Sequence, residues 1–427
     1  MHVVSLAIVV SVLSSLLCVN ATAQSAPGAS EIFSTLRREM HESSEKEDWS
    51  MYLRQATQLR EFTNGSSAAL MDIARAKIGL GQLSAAKLDV QNILRMGQSY
   101  PALDAPPFIA LSGLSSALSA SRVSVANATL FRELRDPDLL AEDVAYDARQ
   151  QRFFVTSVLQ KRVIAVNSKG DMEIFSESPD QWPMFAVKVD AKHLRLWVTE
   201  SALRNFSAAP KVDWGRSALL SYDLVSGRLL RRIEGPRNSA FGDMALLSDG
   251  TPIVSDNANG GVYRLRANAL ERLDNGDFVS PQTPAPDTDG KHIFVPDYVR
   301  GIGRLDLGTR DVRWLSMKDR YALQGTDGLY LCGDALIAVQ NGTAPERVVL
   351  FRLDRTHQSI VGQYVIEART PTLGDPTHGV CIENEFVFIA NSGWETLNER
   401  GERKSDILSS PARLMRIMFS KLHNDSG

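Results

Sequence analysis

Apolar residues recur three and four positions apart between Glu31 and Ser121, and from Asn127 onward they alternate with polar ones. That single change of period divides the chain into two regions. In the first, Glu31 to Ser43, Asp48 to Phe62, Ser67 to Gly81 and Leu83 to Met96 are predicted helices. The short Gly81-Gln82 break between two alanine-rich stretches predicts an antiparallel helical hairpin, in which the small residues let the helices approach closely. Pro101, Pro106 and Pro107 end this pattern, and Ser112 to Ser124 reads as a further helix or a linker.

In the second region one phrase recurs, a hydrophobic strand ending in a small polar or acidic residue. It is Phe153-Phe154-Val155-Thr156-Ser157, then Leu196 to Glu200, Ile253 to Asp256, Ile293 to Asp297, Leu336 to Asn341 and Phe386 to Asn391. The ends of these strands are spaced by about 41 to 56 residues, the length of a four-stranded propeller blade. Most copies have a strand before them and another after. Asp249-Gly250 and Asp289-Gly290 supply tight hairpin turns. The fold class is therefore mainly β, a six-bladed β-propeller preceded by a small α-helical domain. The expected boundaries are 31–125 for the helices and 127–420 for the propeller. Ring closure is expected to pair Ala128 to Leu134 with Leu414 to Phe419 or with the last full blade. Two stacked β-sandwiches would leave the sixfold phrase unexplained.

The bulk composition narrows the function classes. The chain has 427 residues, 44% of them hydrophobic and 23% charged, and a net charge of −3, so it carries no basic field for nucleic acid. Residues 1–23 form an apolar run from Val3 through Val19 followed by Ala21-Thr22-Ala23, which reads as a signal peptide for export to the periplasm or medium. Its n-region has only His2 and no lysine or arginine, and the rival reading is an uncleaved membrane anchor. No later segment is long and apolar enough to span a bilayer. Cys332 and Cys381 both lie in apolar strand-like runs and are expected to be buried free thiols, although export would permit a disulfide.

Candidate chemistry follows from the architecture. The first strand of each blade lines the axis, so the residues leading into those strands surround one mouth of the central channel. They include Glu142-Asp143, Met184-Phe185, Asp243, Thr283, Asp327 and His378. Carboxylates from alternate blades that converge must bind a cation, hold a proton or turn outward. A divalent ion with oxygen ligands, calcium first, is the expected metal. The competing interpretation is turn chemistry for the acids and a hydrogen-bonded structural role for His378. Glu200, Asp256, Asn257, Asp297, Asn341 and Asn391, at the ends of the second strands, return toward the same mouth and are candidate substrate-binding groups. No nucleophile elbow, phosphate loop or dinucleotide fingerprint occurs.

Two resemblances add to this. The Ala-rich helical pair resembles a tetratricopeptide repeat. Glu142 to Asp147 with Arg152 to Ser157, and Asp327-Gly328-Leu329 with Asn341-Gly342, resemble the SMP-30/gluconolactonase family of six-bladed propellers, relatives of the strictosidine synthase-like and NHL groups. The second resemblance covers roughly Leu139 to Trp394. It implies a divalent metal that polarises a lactone carbonyl, with Glu142 matching the first ligand and Asp327 the last. No Pro-Asn-Gly turn occurs, and Asp243 is the nearest counterpart of the middle ligand.

Two functions follow. One is a metal-dependent hydrolase of a lactone or similar small ester, with Glu142, Asp243 and Asp327 as ligands, Asp327 and His378 as catalytic residues, and His378 carrying a proton. The other is a non-catalytic propeller that binds a small molecule at its mouth, or a protein through its helical domain.

Overall fold

The computed structural model describes residues 27–136, 138–317, 321–407 and 410–420. The signal segment expected at 1–23 lies outside the described residues. Four helices come first: α1 (Ala29–Glu45), α2 (Trp49–Phe62), α3 (Ser67–Gly79) and α4 (Leu83–Arg95). Their starts are set locally. The Asp48 carboxylate accepts from the Met51 amide at 2.9 Å, and Ser66 Oγ accepts from the Ala68 amide at 3.2 Å, each satisfying an amide that the first turn leaves open. The helices pack in sequence around Ala56, Leu59, Ala74, Ala86, Val90 and Ile93. Gly79 lies against the Trp49 ring, where a Cβ would come within 2.4 Å of an indole carbon. Among the described residues no helix is long and apolar enough to cross a membrane.

Six antiparallel sheets follow. Blade 1 spans Ala141–Glu177, blade 2 Met184–Glu234, blade 3 Phe241–Arg272, blade 4 Ala285–Trp314 and blade 5 Gly328–Ala368. Blade 6 takes three strands from Gly379–Ile382, Glu385–Ala390 and Ala412–Met418, and its outer strand, Thr129–Leu134, from the start of the region. That strand pairs with the last one in the register Thr129↔Arg416 to Leu134↔Ala412. The ring is thus closed by pairing a strand from the start of the propeller region with its last strand, as the sequence predicted. Val125–Ala126 also pairs with blade 5, as a fifth strand. The first strands touch one another in ring order, each blade against the next and the sixth against the first.

The core lies between blades. Phe154 and Val163 of blade 1 pack on Val187, Val198 and Leu220 of blade 2, and equivalent layers fill the other seams. Strands buried on both faces explain the near-continuous hydrophobic runs in the sequence. On the axial side of one seam, Cys332 and Cys381 form a disulfide between the first strands of blades 5 and 6, with their Cα atoms 6.0 Å apart. The expectation of free thiols is corrected here. Both residues lie near the end of a first strand on neighbouring blades, a proximity that apolar flanks cannot reveal.

The helices dock on the propeller face where first strands begin and second strands end, over blades 4 and 5. The Ala29 amide donates to Gly276 O at 2.9 Å, Asn64 Nδ2 to Arg300 O at 2.9 Å, and Gln324 Nε2 to Thr63 O at 2.7 Å. The Arg300 guanidinium sits 4.4 Å from the ring centres of both Phe62 and Trp314.

Candidate active site on the propeller axis

Each blade delivers its axial residue through the start of its first strand, and in three blades that start is irregular. The register shifts between Ala141 and Val144, between Met184 and Val187, and between Phe241 and Asp243. A bulge re-aims the side chains it carries, and here it carries Glu142, Asp143 and Asp243. In blade 5 a close backbone approach does the same work. Gly325 has φ +69°, and a Cβ there would fall 2.5 Å from the Gly342 carbonyl carbon. Only glycine permits that contact, which brings the Asp327 strand against the Asn341 turn.

The centre is a carboxylate–imidazole cluster drawn from blades 3, 5 and 6. His378 Nε2 lies 2.8 Å from Asp243 Oδ1 and 4.0 Å from Asp327 Oδ1. Its Nδ1 is 3.0 Å from the backbone oxygen of Glu142, to which it donates. Asp243 Oδ1 also accepts from Thr283 Oγ1 at 2.5 Å, and its Oδ2 from Asn257 Nδ2 at 3.3 Å. Asp327 Oδ2 accepts from Asn341 Nδ2 at 2.6 Å, and Asn341 Oδ1 in turn accepts from the Tyr298 hydroxyl at 3.1 Å. Asp243 and His378 are buried at 2% and 1% exposure. The Glu142 carboxyl accepts from Trp394 Nε1 at 2.5 Å. Asp143 bridges blades 1 and 2 through the Val187 amide at 2.8 Å and the Lys188 ammonium.

Burial and like charge set the protonation states. Burial pushes the Glu142 carboxyl up to about 8; the His378 charge opposes this, and the Asp327 and Asp243 carboxylates add to it. Burial raises Asp327 to about 6, with His378 and Asn341 pulling it down and Asp243 pushing it up. For His378 burial acts downward, but the carboxylates of Asp327, Asp243 and Asp143 outweigh it and hold the imidazole well above its ordinary value. At neutral pH the cluster therefore pairs an imidazolium with carboxylates while Glu142 keeps its proton.

The second-strand residues divide. Asn257 and Asn341 reach the axial acids as described. Asp256 accepts from the amides of Ala240, Ala258 and Asn259, and Asp297 from those of Val279, Ser280, Val299 and Arg300. Each ties its own turn to the preceding loop. Glu200 accepts from Ser178 Oγ at 2.6 Å and faces Arg232 at 3.6 Å. Asn391 Nδ2 donates to Ser410 and Pro411. These four side chains are engaged away from the axis. Thr283, Trp394, Tyr298 and Lys188 belong to the site's surroundings without having been singled out as site residues. Thr283 left a trace in the sequence, as blade 4's residue at the position where other blades carry acids.

The metal question turns on the donors. Ligand atoms of Asp243, Asp327 and His378 lie within 4.8 Å of one another, and Glu142, turned to the indole, does not join them. The bond from Nδ1 to a carbonyl leaves Nε2 as the available nitrogen, the usual support for a ligating histidine. The three residues fit a divalent cation. A second group, Asp287, Asp289 and His292, is within reach of one another on blade 4. There the Arg304 guanidinium already contacts both Asp287 and Asp289 at 2.7 Å.

No family model matches the sequence, and no curated protein does. Solved structures similar to this chain include a gluconolactonase from Xanthomonas campestris, at 18% identity over 70% of this chain and 93% of that one, with a TM-score of 0.47. Another is the PQQ-bound aldose sugar dehydrogenase of Streptomyces coelicolor, at 10% identity, 68% and 97% coverage and a TM-score of 0.47. Virginiamycin B lyase from Staphylococcus aureus matches at 10% identity, 67% and 98% coverage and a TM-score of 0.46. The fold rests on the strand pairing described above.

Proposed function

We propose that this protein is an exported hydrolase of a lactone or similar small ester, working at the Asp243–Asp327–His378 cluster. The observation that carries the reading is the placement of His378 Nε2 between carboxylates of two other blades, at 2.8 and 4.0 Å, in an almost fully buried position. Burying several carboxylates beside one imidazole is costly for stability, and such perturbed groups concentrate where proton transfer is needed. Export draws support from the apolar run expected to be a signal at 1–23 and from the Cys332–Cys381 disulfide, a bond that persists in oxidising compartments.

In this reading Asp327, ionised above about pH 6, takes a proton from water as the water oxygen bonds to the carbonyl carbon. The ring carbon–oxygen bond then breaks, and the leaving oxygen takes the proton of His378 Nε2. Proton return from Asp327 to His378 across their 4.0 Å separation resets the site. Asp243 and Thr283 hold the imidazole and its carboxylate in place. A divalent cation held by Asp243, Asp327 and His378 Nε2 would displace the Nε2 proton and would supply Lewis-acid polarisation of the carbonyl in place of that proton transfer. A donor set with one nitrogen suits zinc or manganese better than calcium.

The test is a lactone panel assayed with metal-free protein and with added zinc, manganese or calcium, each repeated on Asp327→Asn. Turnover lost in the variant supports the reading. Metal-dependent thermal stabilisation without turnover on any lactone would leave a non-catalytic binding propeller instead.

A further inference from the structure

Arg347 opens the third strand of blade 5 and is only 2% exposed, yet among the described residues no carboxylate pairs with it. Burial lowers its pKa to about 10, with Tyr100 acting the other way, so the guanidinium stays charged at neutral pH. A charge buried in this way is costly unless its donors are satisfied. The acceptors here are neutral: Nε donates to Gln340 Oε1 at 2.7 Å, and Nη2 to Ala322 O at 3.3 Å.

The bond from Arg347 fixes the orientation of the Gln340 amide. With Oε1 taken by the guanidinium, Nε2 faces three acceptors: Ala322 O at 2.9 Å, Thr326 Oγ1 at 3.1 Å and Gln324 O at 3.3 Å. The Thr326 hydroxyl gives its own proton to Leu323 O at 2.9 Å, so a reversed amide would set one oxygen against three others. These acceptors belong to the residues that lead into Asp327. Gln340 also directly precedes Asn341, whose Nδ2 holds Asp327 Oδ2 at 2.6 Å. Both supports of the Asp327 carboxylate, its own loop and Asn341, therefore meet at one amide.

The helical region closes this network from outside. Gly97, which follows α4, has φ +75°, and a Cβ there would come within 2.7 Å of Arg347 Nη1. The next two residues bind the loop before Arg347: the Ser99 amide donates to Ala344 O at 2.5 Å, and the Ala344 amide to Gln98 Oε1 at 3.0 Å. We propose that Arg347 is a positioning residue for Asp327, and that the helical region acts on the catalytic centre by holding this guanidinium against Gln340. The inference rests on the hydrolase reading above. Arg347 works through Gln340, at one remove from Asp327 and from Asn341.

The experiment compares Arg347→Lys, Gln340→Glu and a control at the same junction, Arg369→Ala, each in the full chain. Lysine keeps the charge and loses the Nε donor. Glutamate keeps an acceptor for the guanidinium and loses all three Nε2 bonds. Arg369 meets Ser99 of the helical region and makes no bond to Gln340. Two measurements are taken at the same interval below each protein's melting temperature. One is hydrogen exchange at the Gly325 and Asp327 amides, which donate to Tyr298 O at 2.8 Å and Val339 O at 2.9 Å. The other is steady-state kinetics on the lactone that the unaltered protein turns over fastest. In Arg347→Lys and Gln340→Glu, exchange at both amides should quicken about tenfold. In the same two variants kcat should fall by about 10- to 100-fold with KM within about threefold. Arg369→Ala should show neither change. Unaltered exchange in either test variant overturns the proposal, and so does faster exchange with an unaltered kcat. An equal loss of kcat in Arg369→Ala overturns it too, because the junction would then act only through general stability. Should Arg347→Lys fail to fold, Gln340→Glu decides. If the unaltered protein hydrolyses no lactone, the hydrolase reading falls, and exchange alone upholds or overturns the hold of Arg347 on Asp327.

Discussion

His378 Nε2 and Asp243 Oδ1 lie 2.8 Å apart at the centre of the ring, although 135 residues separate them in the chain. Ring closure brings them together, because His378 stands on the blade completed by the Thr129–Leu134 strand. The pair therefore reports on closure and on chemistry together. It also fixes the state of the imidazole: Nδ1 donates to Glu142 O, and Nε2 faces the carboxylate.

Asp243→Asn should lower the His378 pKa, since it removes one of the carboxylates that raise it. Nuclear magnetic resonance titration of the His378 ring reads this directly. Activity should fall as well, because Asp243 positions the imidazole, by up to about 10²–10⁴, the usual contribution of the proton carrier it orients. An unchanged titration would show that this carboxylate does not govern the imidazole.

Glu200 predicts a pH dependence of stability separate from the site. Burial raises its carboxyl to about 8, with Ser178 opposing and Asp180 adding to the rise. The folded state then holds a proton that the unfolded chain releases near its ordinary value of 4.5. Stability from this group is complete below pH 4.5 and is lost as pH rises toward 8, with a slope of at most about 1.4 kcal/mol per pH unit. Glu200→Gln should flatten that part of the stability profile, as measured by denaturant unfolding from pH 5 to 8.

The Cys332–Cys381 bond spans a sequence separation of 49 residues. Replacing both cysteines by serine should cost about 2–4 kcal/mol. Chemical unfolding with and without reductant measures it, and the double variant should be insensitive to reductant.

Arg300→Ala should loosen the helical region from the propeller. It removes two ring contacts at 4.4 Å and the bonds to Phe62 O and Asp277 O at 3.1 and 2.6 Å. Hydrogen exchange at the α2–α3 turn should accelerate while amides in the first strands keep their protection.

Gly325→Ala should displace Asp327, because the added methyl would meet the Gly342 backbone and the residue holds φ +69°. The expected result is destabilisation of about 2 kcal/mol or more, with loss of activity even where the variant folds.

The fold was legible because it repeats. Six copies of one alternating phrase, and a helical period that stops near Asn127, depend only on local side-chain periodicity. The axial candidates followed from that repeat: the acids of blades 3 and 5 and the histidine of blade 6 occupy equivalent strand starts. What the repeat could not supply is direction and distance. Asp256 and Asn257 are adjacent in sequence, yet one caps a turn and the other reaches Asp243, since successive side chains at a strand end point to different sides. The Glu142–Trp394 contact joins residues 252 positions apart, and the Cys332–Cys381 bond joins two separate blades. No short-range pattern records such pairings. Sequence periodicity determined the ring and its sixfold axis. Closure of that ring decided which side chains share the axis, and the burial it imposes decided which of them carry protons.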